Sequence, residues 1–362
     1  MPKNILVAGG AGYIGSHFCK LAAAKGYTPV TIDRLTSPSP RVEEWRRNAV
    51  KWGPLEIADM GDEDAVKRIV QTYKPVAVVC FAALIEVAES VAKPDIYWDN
   101  NYHKAVRFFK TLERNKVENA VFSSTAAVYG NPVSPRPLVE NDVLAPINPY
   151  GMTKLACEVA LQGLSQRKEV SKNFIDELIQ RSATSEFNSS LFPSMRSVIF
   201  RYFNAAGADE SAVIGEMHEP ETHLIANAVL AAQHARDFAK DKKFTLNGTD
   251  YPTPDGTCVR DYIHVEDLAL SHILGLEYLL AGGKSDVFNL GTGKGYSVRE
   301  VINGVKKATG KDFTVQEGPR RAGDPAFLVA DANKAEHVLG WKPTHHLETI
   351  IKSATNFHGK HG

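Results

Sequence analysis

Residues 5–17, ILVAGGAGYIGSH, constrain the fold more than any other stretch of this 362-residue chain. A short apolar run leads into Gly9, Gly10, Gly12 and Gly15, and the sequence then turns helical. A side chain at such glycines would block a tight turn and hold the backbone away from a pyrophosphate, while the N–H groups of the following helix start stay free to meet an anion. The glycines fit two frames: Gly10, Gly12 and Gly15 give G-x-G-x-x-G, and Gly9, Gly12 and Gly15 give G-x-x-G-x-x-G. Glycine-rich turns also arise for steric reasons alone, so the meaning of the loop rests on its surroundings.

Over the first 130 residues apolar runs alternate with helix-like segments: NILVAGG, SHFCKLAAAKG, TPVTID, DEDAVKRIVQTY, PVAVVCFAA, DIYWDNNYHKAVRFFKTLERN and NAVFSST. Runs without polar alternation suit strands buried on both faces, the signature of a parallel sheet covered by helices. The expected fold class is α/β, a doubly wound parallel sheet of Rossmann type with a smaller α/β domain. SVIFRYFN at 197–204 reads as a further strand, which gives a first domain over 1–204 with the polar stretch of about 166–195 as an inserted surface excursion. Residues 205–362, with longer loops rich in Gly, Pro and Asp, read as a second domain, some segments of which return to the first. Within it Ser297 and Glu300 make a capping box that fixes one helix start.

Forty-two basic and 42 acidic side chains give zero formal charge, so the electrostatic footprint of a protein that wraps nucleic acid or an anionic membrane is missing. Cys19, Cys80, Cys157 and Cys258 lie far apart in apolar settings and suggest neither a disulfide framework nor a zinc-ligand spacing. No run of about 18 apolar residues and no signal-like segment occurs. A cytoplasmic protein with neither nucleic-acid nor membrane partners is expected.

VTID ends the second run with Asp33, about 20 residues past the loop, where a carboxylate can accept hydrogen bonds from an adenosine ribose. A 2′-phosphate would meet a like charge there, which favours NAD over NADP, although the neighbouring Arg34 is a residue type that accommodates such a phosphate. Further on, NPYGMTKLACE sets Tyr150 and Lys154 on one helix face behind Pro149, which suits a first turn. A free tyrosine titrates near 10, but an ammonium, a helix N-terminus and a nicotinamide cation all favour phenolate, and a shift of roughly three units, about 4 kcal/mol, makes it a base. Taken alone, a Y-x-x-x-K pair is more often coincidence. Here the glycine loop lies upstream, and FSST ends a strand with the hydroxyls of Ser124 and Thr125, able to hydrogen-bond a reacting alcohol or carbonyl. Open α/β sheets bind ligands at such strand ends.

Together these residues resemble the extended short-chain dehydrogenase/reductase family and, within it, the UDP-glucose 4-epimerases. The resemblance runs through AGGAGYIGSH, FAALIEVAESVAKP, DNN, FSSTAAVYG, NPYGMTKL, RYFNAAGA, HLI, DGTCVRDYIHVEDLA, FNLGTGKGYSV, GPRRAGDPAFLVAD and LGWKP in the family's order, leaving 166–195 outside the pattern. It implies that Tyr150 takes the sugar 4-hydroxyl proton while C4 gives hydride to tightly held NAD. Lys154 would hold the nicotinamide ribose and lower the tyrosine pKa, and Thr125 would sit near the 4-oxygen. The 4-keto sugar would then turn about its pyrophosphate link and take hydride back on the other face, interconverting UDP-glucose and UDP-galactose.

By the same resemblance Gly9, Gly12, Tyr13, Ile14 and Gly15 hold the cofactor, with Asp33 at the ribose and Asp59 and Met60 beside the adenine. Phe81, Ala82, Ala83 and Asn100 line the NAD channel, joined by Ser123 and Tyr202. UDP-sugar contacts fall to Ser124, Thr125, Tyr150, Asn204, Leu224, Arg260, Arg321 and Asp324. A homodimer through helices of the first domain is implied. Two positions depart from the pattern or vary within it. Ile85 stands where some members place a lysine that reaches an NAD phosphate, and Leu328 falls where the wall beside the hexose 2-substituent varies. Ile85 bears on how tightly NAD is retained and Leu328 on whether UDP-N-acetylhexosamines are admitted; UDP-pentoses and UDP-glucuronate are further alternative substrates, since their chemistry is identical and only the pocket differs. Related 4,6-dehydratases carry an Asp-Glu pair after the threonine, where this chain has Ala126 and Ala127, which argues against elimination. The intact Tyr150, Lys154 and Thr125 argue against a catalytically silent NAD-binding module. No metal is expected: His264 near Asp261 and Asp267 reads as structural, His17 as helix packing, and His345 and His346 have no visible partner.

Overall fold

The computed structural model of the chain describes residues 3–37, 39–132, 134–164, 170–182, 187–234, 244–321 and 324–361. At its centre lie β1 (Asn4–Ala8), β2 (Thr28–Asp33), β3 (Leu55–Ile57), β4 (Ala77–Cys80), β5 (Asn119–Ser123), β6 (Arg196–Tyr202) and the strand Asp286–Leu290. All pair in parallel, in the order Asp286–Leu290, β6, β5, β4, β1, β2, β3. The chain leaves β1 toward β2 and β3, then returns to β4 on the other side of β1. That reversal opens a crevice at the carboxyl ends of β1 and β4, where open sheets of this kind bind ligands.

The unalternating runs form strands buried on both faces, as expected. Leu6 and Ala8 of β1 face one core, with Phe108, Phe109, Leu155 and Val159 of the helices Lys104–Arg114 and Pro149–Gln162. Ile5 and Val7 point the other way, toward Phe18 of the helix Tyr13–Ala24 and Leu268, Ile273 and Leu276 of the helix Val265–Leu280. The period of two in a strand makes this split.

The chain after residue 205 thus supplies both a strand and a covering helix to the central sheet. The rest of it builds a separate core in which the helices Leu224–His234, Val298–Thr309 and Leu347–His361 meet around Val229, Leu246, Val301 and Ile350. The Ser297–Glu300 capping box forms there. A short sheet of Asn204–Ala206, Val259–His264, Gly295–Ser297 and Phe327–Leu328 adjoins this core.

Of the 166–195 excursion, residues 166–169 and 183–186 lie outside the described residues. Its described part contains the helix Lys172–Arg181, capped by the Ser171 side chain. Phe174 and Leu178, one turn apart, are buried in the first-domain core with Phe187, Phe192 and Met195. The excursion is therefore anchored by an apolar edge rather than laid on the surface, an edge too sparse to show as periodicity among its polar residues.

Candidate active site

The glycine loop crosses the crevice at the end of β1. Gly9 takes φ +78°, and a Cβ there would meet the Ala82 backbone nitrogen at 2.7 Å; one on Gly15 would lie 2.2 Å from the Gly9 carbonyl oxygen. Gly12 is different, with only that same oxygen near, at 3.3 Å. It stands at the N-cap of the helix Tyr13–Ala24, which no side chain caps, so the helix start is open to an anion. Asp33 accepts the Ala11 N–H at 3.2 Å and the Leu35 N–H at 2.8 Å. The acid both braces the loop and ends β2, as a ribose-binding carboxylate would. The cradle, the open helix start and the acid fit a dinucleotide.

Arg34 is drawn to Asp59 at 3.4 Å, and Asp59 also accepts from Lys104 Nζ at 2.8 Å. Burial raises the Asp59 pKa, but Lys104 and the Gly61 N–H outweigh it and hold the carboxyl below its ordinary range. Lys104 was not among the expected site residues; it is one basic residue among several on an amphipathic helix, and nothing in its spacing sets it apart. Met60 is buried beside this group. Tyr13 begins the helix and donates to the Gly207 carbonyl at 2.6 Å.

Past β4, the Phe81 and Ala82 N–H groups both bond the Ala8 carbonyl. Asn100 donates to the Asn101 side chain at 3.0 Å, and Asn101 clamps Leu84 through both its N–H (2.8 Å) and its carbonyl (2.9 Å). Both asparagines sit on a π-helical turn, Trp98–His103, an irregularity often found at functional sites.

β5 ends at Ser123 and passes through Thr125 into a 3₁₀ turn, Ala126–Tyr129. The helix Pro149–Gln162 starts against this turn, with the Asn148 side chain accepting the Gly151 N–H at 2.8 Å. A Cβ at Gly151 would lie 2.8 Å from the Ala127 carbonyl oxygen. Glycine therefore lets the helix start close on the turn, which sets the Tyr150 phenol near the Thr125 hydroxyl. The two residues are 8% and 9% exposed. Burial pushes the Tyr150 phenol up to about 12, the nearby Thr125 hydroxyl opposes this, and the charge of Glu86 adds to it.

One turn later Lys154 is buried, its Nζ donating to the Ser123 carbonyl at 2.8 Å and lying over the Phe122 ring. Burial lowers its pKa, opposed by Cys80, Cys157 and Glu158. The ammonium thus shares the strand end with Tyr150 but is engaged by the backbone.

Ser123 turns its hydroxyl to His272 Nε2 at 2.8 Å. His272 Nδ1 lies 2.8 Å from the Leu268 carbonyl, which can only accept, so Nδ1 carries the proton and the Ser123 hydroxyl donates to Nε2. Tyr202 lies beside Ser123 and Tyr150, its pKa raised by burial and then by the neighbouring phenol. Ser124 departs from expectation. It is fully buried and donates to Glu158, which pairs with Arg201 at 2.7 Å. Of the two strand-end hydroxyls expected at the sugar, the crevice receives Thr125; Ser124 belongs to the core network beneath it.

From the second half of the chain, Asn204 donates to the Asp261 carbonyl at 3.0 Å. Arg260, on the neighbouring strand, is 12% exposed and 3.6 Å from Asp324; the Asp324 N–H bonds the Arg321 carbonyl. Leu224 opens the helix Leu224–His234. His345, expected to lack a partner, stacks on His264 at 4.1 Å and pairs with Asp267 at 3.0 Å, contacts hidden by the long separation in sequence.

The glycine cradle, Asp33 and the Tyr150–Thr125 pair meet at one topological switch point, the arrangement of a dinucleotide-dependent enzyme. The profile of the NAD dependent epimerase/dehydratase family matches residues 5–291, and the chain belongs to that family. Its similarity is to UDP-glucose 4-epimerases: that of Rhizobium meliloti (strain 1021) is 44% identical over 358 residues, 99% of this chain and 98% of the relative. The solved UDP-glucose 4-epimerase from Brucella ovis in complex with NAD has a TM-score of 0.82 and 39% identity, covering 98% of each chain. The one from Bifidobacterium longum in complex with NAD+ and UDP has a TM-score of 0.80 and 35% identity, over 99% of this chain and 98% of the other.

Proposed function

We propose that the chain interconverts UDP-glucose and UDP-galactose with NAD as cofactor, and that Tyr150, Lys154 and Thr125 carry the reaction. The observation that carries this reading is that Tyr150 and Thr125 are buried together at the end of β5, with Lys154 one helical turn away and bonded to the same strand end. When bound, NAD supplies a reversible acceptor for the hydrogen of the sugar C4. Tyr150 takes the 4-hydroxyl proton and gives it back, and Thr125 holds the 4-oxygen beside it. At about 12 the phenol is no base at neutral pH. A fall of roughly five units, about 7 kcal/mol, is needed, and Lys154 is the ammonium placed to contribute by turning from the Ser123 carbonyl toward the nicotinamide ribose.

Gly9, Gly12, Tyr13, Ile14 and Gly15 hold the pyrophosphate of NAD in this reading, with Asp33 at the ribose and Asp59 and Met60 at the adenine. Phe81, Ala82, Ala83, Asn100, Ser123 and Tyr202 line the way to the nicotinamide. Arg260, Arg321 and Asp324, with Asn204 and Leu224, take the UDP group, a ligand carried by the Bifidobacterium relative. A homodimer and a cytoplasmic location belong to the same proposal; among the described residues no helix is long and apolar enough to cross a membrane. The test is to incubate purified protein with a panel of UDP-hexoses, UDP-pentoses and UDP-N-acetylhexosamines and resolve the products. UDP-glucose giving UDP-galactose supports the reading; no product from any sugar with NAD present overturns it.

A further inference from the structure

The segment leading into the helix Leu224–His234 spaces four metal-ligating side chains as E-x-H-x-x-E-x-H: Glu216, His218, Glu221 and His223. Their donor atoms converge. His223 Nδ1 is 3.0 Å from Glu216 Oε1 and 3.0 Å from Glu221 Oε1; His218 Nδ1 is 3.6 Å from Glu216 Oε1 and 3.8 Å from Glu221 Oε2. Tetrahedral ligands held at roughly 2.0–2.1 Å from one ion stand about 3.3–3.4 Å apart, within the spread of these distances.

Burial makes the arrangement costly without a cation. The Glu216 and Glu221 side chains are 6% and 2% exposed and share one space, and two buried carboxylates repel while each loses its hydration. Glu221 Oε1 accepts the N–H groups of Thr222 (2.7 Å) and His223 (2.8 Å), but Oε2 has no hydrogen-bond partner, and neither has His218 Nδ1 facing it. At 3.8 Å the two are too far apart to bond each other, and they suit two ligands of a single ion.

We infer that Glu216, His218, Glu221 and His223 bind a divalent transition-metal ion, with zinc favoured by the donor set. Two imidazoles and two carboxylates match its ligand preference and neutralise its charge, whereas calcium and magnesium take shells of oxygen. The ion serves as a staple at the mouth of the crevice. Thr222 donates to Glu86, on the segment after β4, at 2.9 Å. Ser39 and Arg41, after β2, bond Glu219. The metal would fix the segment that ties these loops to the second core.

The test uses full-length protein, stripped with a chelator and dialysed against micromolar zinc, with metal content, thermal unfolding and zinc K-edge absorption measured. About one zinc per chain, a midpoint raised by several degrees and a shell of nitrogen and oxygen near 2.0 Å are expected. The double variant His218→Ala with Glu221→Gln, checked for its circular dichroism and bound NAD, should lose zinc affinity by at least about tenfold. Negligible zinc uptake by the wild type, a sulfur-containing shell, or equal uptake by a folded double variant would overturn the inference. A protonated His223 held between the two carboxylates would then account for the cluster.

Discussion

At the carboxyl end of β5, Lys154, Ser123 and Ser124 are buried and each bonded within the protein, to a strand carbonyl, a histidine and a glutamate. At the proposed UDP-binding rim, Arg260 meets Asp324 only at 3.6 Å, and Arg321 is exposed. Apart from Lys154, whose ammonium must turn to the cofactor in the proposed reaction, the floor is set before any ligand arrives, while in the proposed function the rim exchanges a loose partner for a pyrophosphate. Chemistry that moves a proton needs groups fixed within fractions of an ångström; recognition of a charged ligand needs donors able to close on it. The comparison separates two kinds of mutational outcome, loss of turnover at the floor and loss of affinity at the rim.

The largest effect is expected from Tyr150→Phe, which deletes one hydroxyl from the floor. Turnover should fall about 10³-fold or more, with bound NAD and the folded spectrum retained; turnover within tenfold of wild type would place the acid–base group elsewhere. Next comes stability. Glu158→Gln leaves the Arg201 guanidinium buried without its counter-charge and should cost about 3–5 kcal/mol in urea denaturation, whereas Asp324→Asn at the rim should cost less than about 1 kcal/mol. Equal costs would break the distinction.

The floor should also be sensitive to acid. Burial pushes His272 down to about 4 from its ordinary 6.5, so its neutral form is the folded form. The stability this contributes is present above about pH 6.5 and lost as pH falls toward 4, up to roughly 3 kcal/mol. The margin of wild type over a His272→Gln variant should therefore narrow between pH 7 and pH 4; a constant margin would show that the histidine does not titrate in this range. At the rim, Arg260→Ala should raise the KM for the UDP-sugar about 10- to 100-fold while kcat changes less than about threefold, the effect of removing a charged hydrogen bond from binding alone.

What could be read in advance follows the same division. β1 and β4 were legible because both faces are buried and their apolar runs do not alternate; Tyr150 and Lys154 were legible because a helix puts residues four apart on one face. Ser124 was not, since the strand ends one residue before it and the period of two no longer says which hydroxyl faces the crevice. Glu158 looks like a surface charge until Arg201, 43 residues later, meets it. The helix Val265–Leu280 is apolar around most of its circumference, so its pattern gave burial but not an address, and it packs on the first-domain sheet. The charged segment holding Glu216 to His223 resembles an ordinary polar loop, because convergence of its donors depends on a backbone path no periodicity records.

The smallest expected effect tests whether the floor's rule extends to the mouth of the crevice. Asn101 holds Leu84 by both backbone groups, so the next residue starts from a fixed backbone, yet Ile85 itself is 38% exposed and apolar. If that position faces an NAD phosphate, as the resemblance implies, Ile85→Lys supplies one partly solvated ammonium, worth about 0.5–1 kcal/mol. Release of bound NAD, followed by exchange with labelled cofactor, should slow about two- to fivefold at low salt, and the gain should shrink in 0.5 M salt as screening shortens to a few ångströms. An unchanged rate at low salt would mean that the side chain points away from the cofactor. Retention would then rest on the prebuilt contacts of the glycine cradle and the Asp33 carboxylate.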